Sequence, residues 1–128
     1  RSPLQIYMDG MDVFNFAIGV APKGVKNIVR EAGIELGDID HLIFHQSNRF
    51  MTDFFVKRLK IDPSKVHYSI GKYGNTSSAS IPLTVVSELG GRSYDGDRTV
   101  MCGFGAGLSW GTAYMRFSGC RISTVTEY

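Results

Sequence analysis

The sequence predicts an α/β fold, a mixed sheet packed with helices, and three observations carry that expectation. Apolar residues recur at helical spacing over three stretches, beginning near Phe14, Met51 and Ala79. Between them fall brief apolar runs, Leu42-Ile43-Phe44 and Thr99 to Phe104, that read as buried strands. The chain then closes with two strands across a very short glycine-rich connection, which adds an antiparallel pair to strands that are otherwise joined through helices. At 128 residues, 43% of them hydrophobic, it has the size of one domain with a real core.

Each element has its own signals. Phe14, Ala17, Ile18, Ala21, Val25, Ile28, Val29 and Ala32 form the first helical face, with Asp12 as N-cap and Gly33 as the stop. Pro22 falls inside that pattern and predicts a kink or two helices end to end. Leu42-Ile43-Phe44 is a strand with His45 at its carboxyl end. Met51, Phe54, Phe55 and Leu59 stripe a helix that Asn48 caps. Asp62-Pro63-Ser64 breaks the chain, and Val66 to Ile70 alternates weakly as a short strand. A helix from Ser78 to Leu89 holds Pro82 near its first turn and ends at Gly90-Gly91. Asp95-Gly96-Asp97 reads as a turn before the strand Thr99 to Phe104. Leu108 to Phe117 is a long strand with Trp110, Thr112 and Tyr114 on one face, and Ile122 to Val125 is expected to add a last one.

Charge and cysteine usage narrow the function. The net charge is only +2, but Arg49, Lys57, Arg58, Lys60, Lys65 and Lys72 face only Asp53 and Asp62 in their stretch. Such a basic face suits a phosphate-bearing or acidic protein partner as well as it suits plain solvent. Nucleic acid is a poor candidate, because the cluster is short, the pI is about 8.6 and no recognised nucleic-acid motif is present. Cys102 and Cys120 make neither a disulfide framework nor a zinc spacing, so a reducing, cytoplasmic compartment is expected. No apolar stretch approaches the ~20 residues of a membrane span, and no signal peptide is visible. Arg1-Ser2-Pro3-Leu4 does not look like a natural start, so an excised or processed piece of a longer protein is expected.

Three clusters are candidates for chemistry. His45-Gln46-Ser47-Asn48 forms a polar mouth at the carboxyl end of a strand, where open α/β sheets bind ligands. Taken alone, His45 also fits a structural histidine. Asn75 sits in a Gly-Asn turn dipeptide, yet the small hydroxyl residues after it would let a helix start approach a ligand closely. Gly105-Ala106-Gly107 either presents backbone N–H groups to an oxyanion or simply closes a hairpin. It lacks the pattern of a phosphate or dinucleotide loop. Cys102 lies in an apolar strand and reads as a buried, inert thiol rather than a nucleophile. No metal site is expected.

Together, His45-Gln46-Ser47-Asn48, Gly74-Asn75-Thr76-Ser77-Ser78-Ala79-Ser80-Ile81-Pro82 and Gly103-Phe104-Gly105-Ala106-Gly107-Leu108-Ser109-Trp110-Gly111 resemble the three C-terminal motifs of beta-ketoacyl-acyl-carrier-protein synthase III, in order and in spacing. Met8-Asp9-Gly10 with Val13-Phe14-Asn15-Phe16-Ala17 is similar to the segment that opens the second half of that family.

The resemblance implies a thiolase-like fold of two similar halves, of which residues 1–128 are the C-terminal one. It implies acyl transfer from coenzyme A to a cysteine, then a decarboxylating Claisen condensation with malonyl-acyl carrier protein in fatty-acid synthesis. His45 and Asn75 fall on the motif positions that hold the malonyl thioester oxygen. Phe104 matches an aromatic beside the nucleophile, and Gly105, Ala106 and Gly107 match a second oxyanion loop in which Ala106 replaces the usual Gly. Asn48 matches a contact to the pantetheine arm. The position that often carries a carrier-docking Arg is Phe50 here, with Arg49 one place earlier, which turns the charge by ~100° on a helix. The resemblance further implies acyl carrier protein and coenzyme A thioesters as partners, a dimer of the full-length enzyme, no tightly bound cofactor, and a nucleophilic cysteine in the missing N-terminal half. Without that cysteine the chain alone is expected to be inactive. The alternatives are another thiolase-fold acyltransferase, such as a hydroxymethylglutaryl-CoA synthase type, or a non-catalytic module that binds a carrier protein.

Overall fold

The computed structural model describes residues 3–128. Its sheet has three strands in the order β1 (His41–Phe44), β2 (Ser93–Gly105) and β3 (Ser109–Arg121). β1 runs parallel to β2, with Phe44 opposite Cys102, and β2 runs antiparallel to β3, with Gly105 opposite Ser109. The mixed sheet expected from sequence is therefore present.

One face of the sheet carries α1 (Gly10–Glu31) and α2 (Arg49–Leu59), and the other carries α4 (Ser80–Glu88). Ala17, Ala21, Val25 and Val29 recur every fourth residue along α1, and their buried row packs toward Leu42, Phe44, Val100 and Cys102. α1 crosses β3 closely because Gly24 has no side chain; a Cβ there would lie 2.5 Å from Thr112 Oγ1. On the opposite face Ile43, Leu89 and Tyr94 form a smaller cluster with Ile81, Val85, Met101 and Phe117. Successive residues of β1 thus feed alternate faces, as the strand period requires.

Several sequence expectations are corrected. Asp9, not Asp12, caps α1: its carboxylate accepts from the N–H groups of Met11 and Asp12 at 2.9 and 3.1 Å. Asp12 then lies in the first turn, where its charge complements the helix dipole. Pro22 divides nothing; α1 is one helix of 22 residues, held by the buried row on either side of it. Val66 to Ile70 is not a strand. Val66 makes one bridge to Leu42, and then the Ser69 and Ile70 amides turn to the Gln46 side chain as the four-residue α3 (Ile70–Tyr73) begins. Asp95-Gly96-Asp97 is not a turn but an irregularity within β2, where the register slips and Gly96 takes φ +101°. After Arg121 the chain leaves the sheet, so Ile122 to Val125 adds no strand; Ile122 pairs only with Gly91 and Arg92 ahead of β2. Gly33, with φ +68°, does end α1 as expected. No helix among the described residues is long and apolar enough to cross a membrane.

Candidate active site

β1 ends at Phe44 and delivers His45 to the carboxyl edge of the sheet, where its backbone N–H still donates to Cys102 O at 2.8 Å. The half-buried ring meets the edge of Phe104, with centroids 5.4 Å apart and planes at 82°. His45 Nδ1 lies 2.7 Å from Ser80 Oγ at the start of α4. The backbone N–H of Gln46 donates to the same hydroxyl at 3.3 Å. Ser80 is 1% exposed, and its hydroxyl hydrogen has no other acceptor among the described residues, so it donates to Nδ1. The remaining ring hydrogen is then on Nε2. Burial lowers the pKa of His45, which keeps the ring neutral at pH 7.

Gln46 belongs to the support, not to the mouth that its sequence position suggests. It is 1% exposed; its amide donates to Phe44 O at 2.8 Å, and its oxygen accepts from the N–H groups of Ser69 and Ile70 at 3.0 and 3.2 Å. Ser69 Oγ lies 2.6 Å from Thr84 Oγ1, and Thr84 donates to the carbonyl of Ser80 at 2.7 Å. One buried polar network therefore runs from the end of β1 through the start of α3 to α4, and returns to His45. Sequence reasoning gave Ser69 and Thr84 no role, and Ser80 only a place among the small hydroxyl residues after Asn75. The available signal was the four-residue spacing of Ser80 and Thr84, which puts both hydroxyls on one helical face.

Asn75 lies on the exposed loop between α3 and a short 3-10 turn at Ser77–Ala79 that runs directly into α4. Its Oδ1 accepts from Ser77 N–H at 2.9 Å, so the turn reading holds for the backbone, and the side-chain NH2 remains as the donor. Beside it, the buried hydroxyl of Thr76 has no hydrogen-bond partner among the described residues. Asn75 is tied to His45 only through the chain: five residues on, Ser80 makes the contact to the ring.

Phe104 is buried and stands edge-on to both His45 and Phe55. Gly105 is the last residue of β2, and Ala106 and Gly107 lie on the exposed hairpin tip, where Ser109 Oγ donates to Ala106 O at 3.0 Å. Asn48 caps α2, accepting from Met51 N–H at 2.8 Å. Arg49 is held against its own helix: its Nε is 3.3 Å from Asp53 Oδ1, and its guanidinium lies 4.1 Å over the Tyr68 ring. The Tyr68 hydroxyl donates to Asp53 at 2.8 Å, and burial with that bond raises its pKa. Phe50 is exposed and stacks on Phe14 of α1. Within the basic stretch, Lys65 donates to Gly37 O and Lys72 pairs with Glu88, which leaves Lys57, Arg58 and Lys60 as an exposed group at the end of α2. Cys102 is fully buried, and desolvation pushes its thiol up to about 11. No group of residues suited to a metal ion occurs among the described residues.

Residues 29–117 match the family described as 3-Oxoacyl-[acyl-carrier-protein (ACP)] synthase III C terminal. A beta-ketoacyl-[acyl-carrier-protein] synthase III of Symbiobacterium thermophilum is 45% identical over 113 residues, 88% of this chain and 34% of that protein. Its counterpart in Rhodopirellula baltica is 41% identical over 113 residues, 88% of this chain and 33% of that protein. The crystal structure of a 3-oxoacyl-(acyl-carrier protein) synthase from Burkholderia xenovorans LB400 superposes with a TM-score of 0.89 at 36% identity, covering 98% of this chain and 36% of the other. The chain thus spans about a third of the length of the relatives it matches. With the matched residues running from the last turn of α1 into β3, the chain belongs to the C-terminal domain family of 3-oxoacyl-[acyl-carrier-protein] synthase III.

Proposed function

We propose that this chain supplies the decarboxylation half of a condensing enzyme's active site, with His45 and Asn75 as donors to one thioester oxygen. The substrates are an acyl-CoA and a malonyl group on acyl carrier protein, and no tightly bound cofactor takes part. In the malonyl group the bond to the carboxylate breaks, carbon dioxide leaves, and the electron pair passes into the enolate of the thioester. The enolate carbon then attacks an acyl-cysteine, and the thiolate departs. Negative charge grows on the thioester oxygen during the first step, so fixed donors stabilise the transition state more than the ground state.

The observation that carries this reading is the Ser80–His45 contact. It commits Nδ1 as acceptor and leaves Nε2–H to donate from a neutral ring. The free NH2 of Asn75 and the unpartnered hydroxyl of Thr76 agree with a polar ligand at that loop. Lys57, Arg58 and Lys60 are the group that an acidic carrier protein would meet, because Arg49 is engaged by Asp53 and Tyr68. Asn48 has its side-chain NH2 left for a pantetheine amide. The nucleophilic cysteine comes from polypeptide outside these 128 residues, since Cys102 is buried and protonated and Cys120 has no histidine partner among the described residues. The chain by itself therefore forms no ketoacyl product.

The test is His45→Ala and Asn75→Ala made separately in the full-length enzyme. Each lowers decarboxylation about a hundredfold or more while self-acylation from acyl-CoA continues. Unchanged decarboxylation in both variants overturns the reading in favour of a binding module.

A further inference from the structure

A second histidine site lies at the opposite end of β1 from His45. His41 opens the strand, and His67 follows Val66 on the segment that docks along the outer edge of β1 through the Leu42–Val66 bridge and the His67 N–H bond to Leu42 O at 3.1 Å. His41 Nδ1 lies 2.9 Å from His67 Nε2, and His41 Nε2 lies 3.0 Å from Asp97 Oδ2 in β2. His41 turns its two nitrogens to different groups, so the three side chains do not converge on a point for a metal ion. Glu88 of α4, which is paired with Lys72 of α3, and Arg92 also act on His67, while the Tyr94 ring stands edge-on to His41.

The number of hydrogens the site can place sets its behaviour. With both rings neutral, His41 Nε2–H donates to Asp97, and Nδ1 accepts from His67 Nε2–H. One added proton fits. His41 then donates from both nitrogens, to Asp97 and to His67 Nε2, and the hydrogen of His67 sits on Nδ1. Another proton does not fit, because two imidazolium N–H groups would face each other with no acceptor between them.

We propose that His41 and His67 form a one-proton latch against Asp97, and that a second proton parts the rings and releases the segment around Val66–Ser69 from the edge of β1. Desolvation, together with the charge of His41, pushes His67 down to about 4, which is the direction the latch requires. The released segment ends at Ser69, whose amide, with that of Ile70, anchors the approach to the Asn75 loop through Gln46.

The experiment is amide hydrogen exchange across pH, corrected for intrinsic rates, on the protein purified at its natural length. Exchange at the His67 amide rises about tenfold or more between about pH 6 and pH 3.5, and at every pH the amide of Val100 in the central strand stays far better protected than that of His67. In His67→Gln, which keeps a side-chain hydrogen bond to His41 without a titrating charge, the rise shrinks to about twofold or less. A flat profile at His67, protection at His67 no lower than that at Val100, or the same rise in His67→Gln each overturns the latch.

Discussion

The Ser80 hydroxyl stands 2.7 Å from His45 Nδ1 and decides which nitrogen of that ring keeps its hydrogen. Ser80 does not face the proposed substrate; it acts through the histidine, as a positioning residue. In Ser80→Ala the imidazole loses its partner, both tautomers become accessible and the Gln46 amide loses its acceptor. Decarboxylation by the full-length enzyme then falls about tenfold, less than the hundredfold expected for loss of a direct donor. The loss appears in kcat, with KM for the malonyl carrier unchanged, and self-acylation is retained. A loss confined to KM would assign Ser80 to binding instead.

Gln46 and Asn75 part in the opposite sense. Gln46→Ala strips acceptors from two amides and a donor from Phe44 O inside the buried network, at a cost of about 3 kcal/mol. Asn75→Ala removes an exposed side chain with one local bond and costs about 0.5 kcal/mol or less. Urea unfolding of both variants checks the contrast. Equal costs would mean that Asn75 has a structural share in the fold.

What the sequence disclosed follows from the range of the forces involved. The helical stripes of α1 and α2, the Asn48 cap and the Leu42–Phe44 strand were legible because each depends on spacing within about a turn or a strand. The slips were also local. The turn chemistry of Asp95-Gly96-Asp97 was overridden by pairing with β3, and the strand pattern at Val66 to Ile70 was overridden when Gln46 took the Ser69 and Ile70 amides. Motif order pointed to His45, Asn75 and Phe104, and the structure joins His45 to Phe104 in direct contact. The contacts of Ser80 to His45 and of Thr84 to Ser69 stayed hidden because the partners lie 35 and 15 residues apart in sequence. The His41–His67–Asp97 site spans 26 and 56 residues and has no sequence signature at all.

Acid should weaken the fold in a defined window. Burial lowers the pKa of His45, and burial with the charge of His41 takes His67 down to about 4 from 6.5. Well above pH 6.5, by about pH 8, neither ring is protonated in the folded or the unfolded chain, and the full stability is present. As the pH falls below 6.5, the unfolded chain binds protons that the folded one refuses, and stability declines until the pH passes the folded values. The Tm therefore drops from pH 6.5 towards about 4, and His67→Gln flattens part of that drop. The carboxylates with lowered pKa values, Asp62 and Glu88, add their losses around and below their ordinary values of 3.8 and 4.5, so the upper part of the window belongs to the histidines. A Tm that rises on acidification through pH 6 would contradict the sign of both shifts.

The two cysteines test the division of labour proposed between this chain and the rest of the enzyme. Cys102 is fully buried between Ala21 and Thr112, whose hydroxyl donates to its sulfur at 3.6 Å, yet desolvation still holds the thiol near 11. At pH 8 about a thousandth of it is thiolate, and that fraction is shut away from reagent. Cys120, towards the end of β3, is partly exposed. Iodoacetamide should therefore label Cys120 in the native protein and reach Cys102 only after unfolding, as peptide mass mapping would show. Cys102→Ser should leave self-acylation of the full-length enzyme intact. If native Cys102 were labelled, and if its loss abolished self-acylation, the nucleophile would lie within this chain, and the division of labour proposed for the two parts of the enzyme would fail.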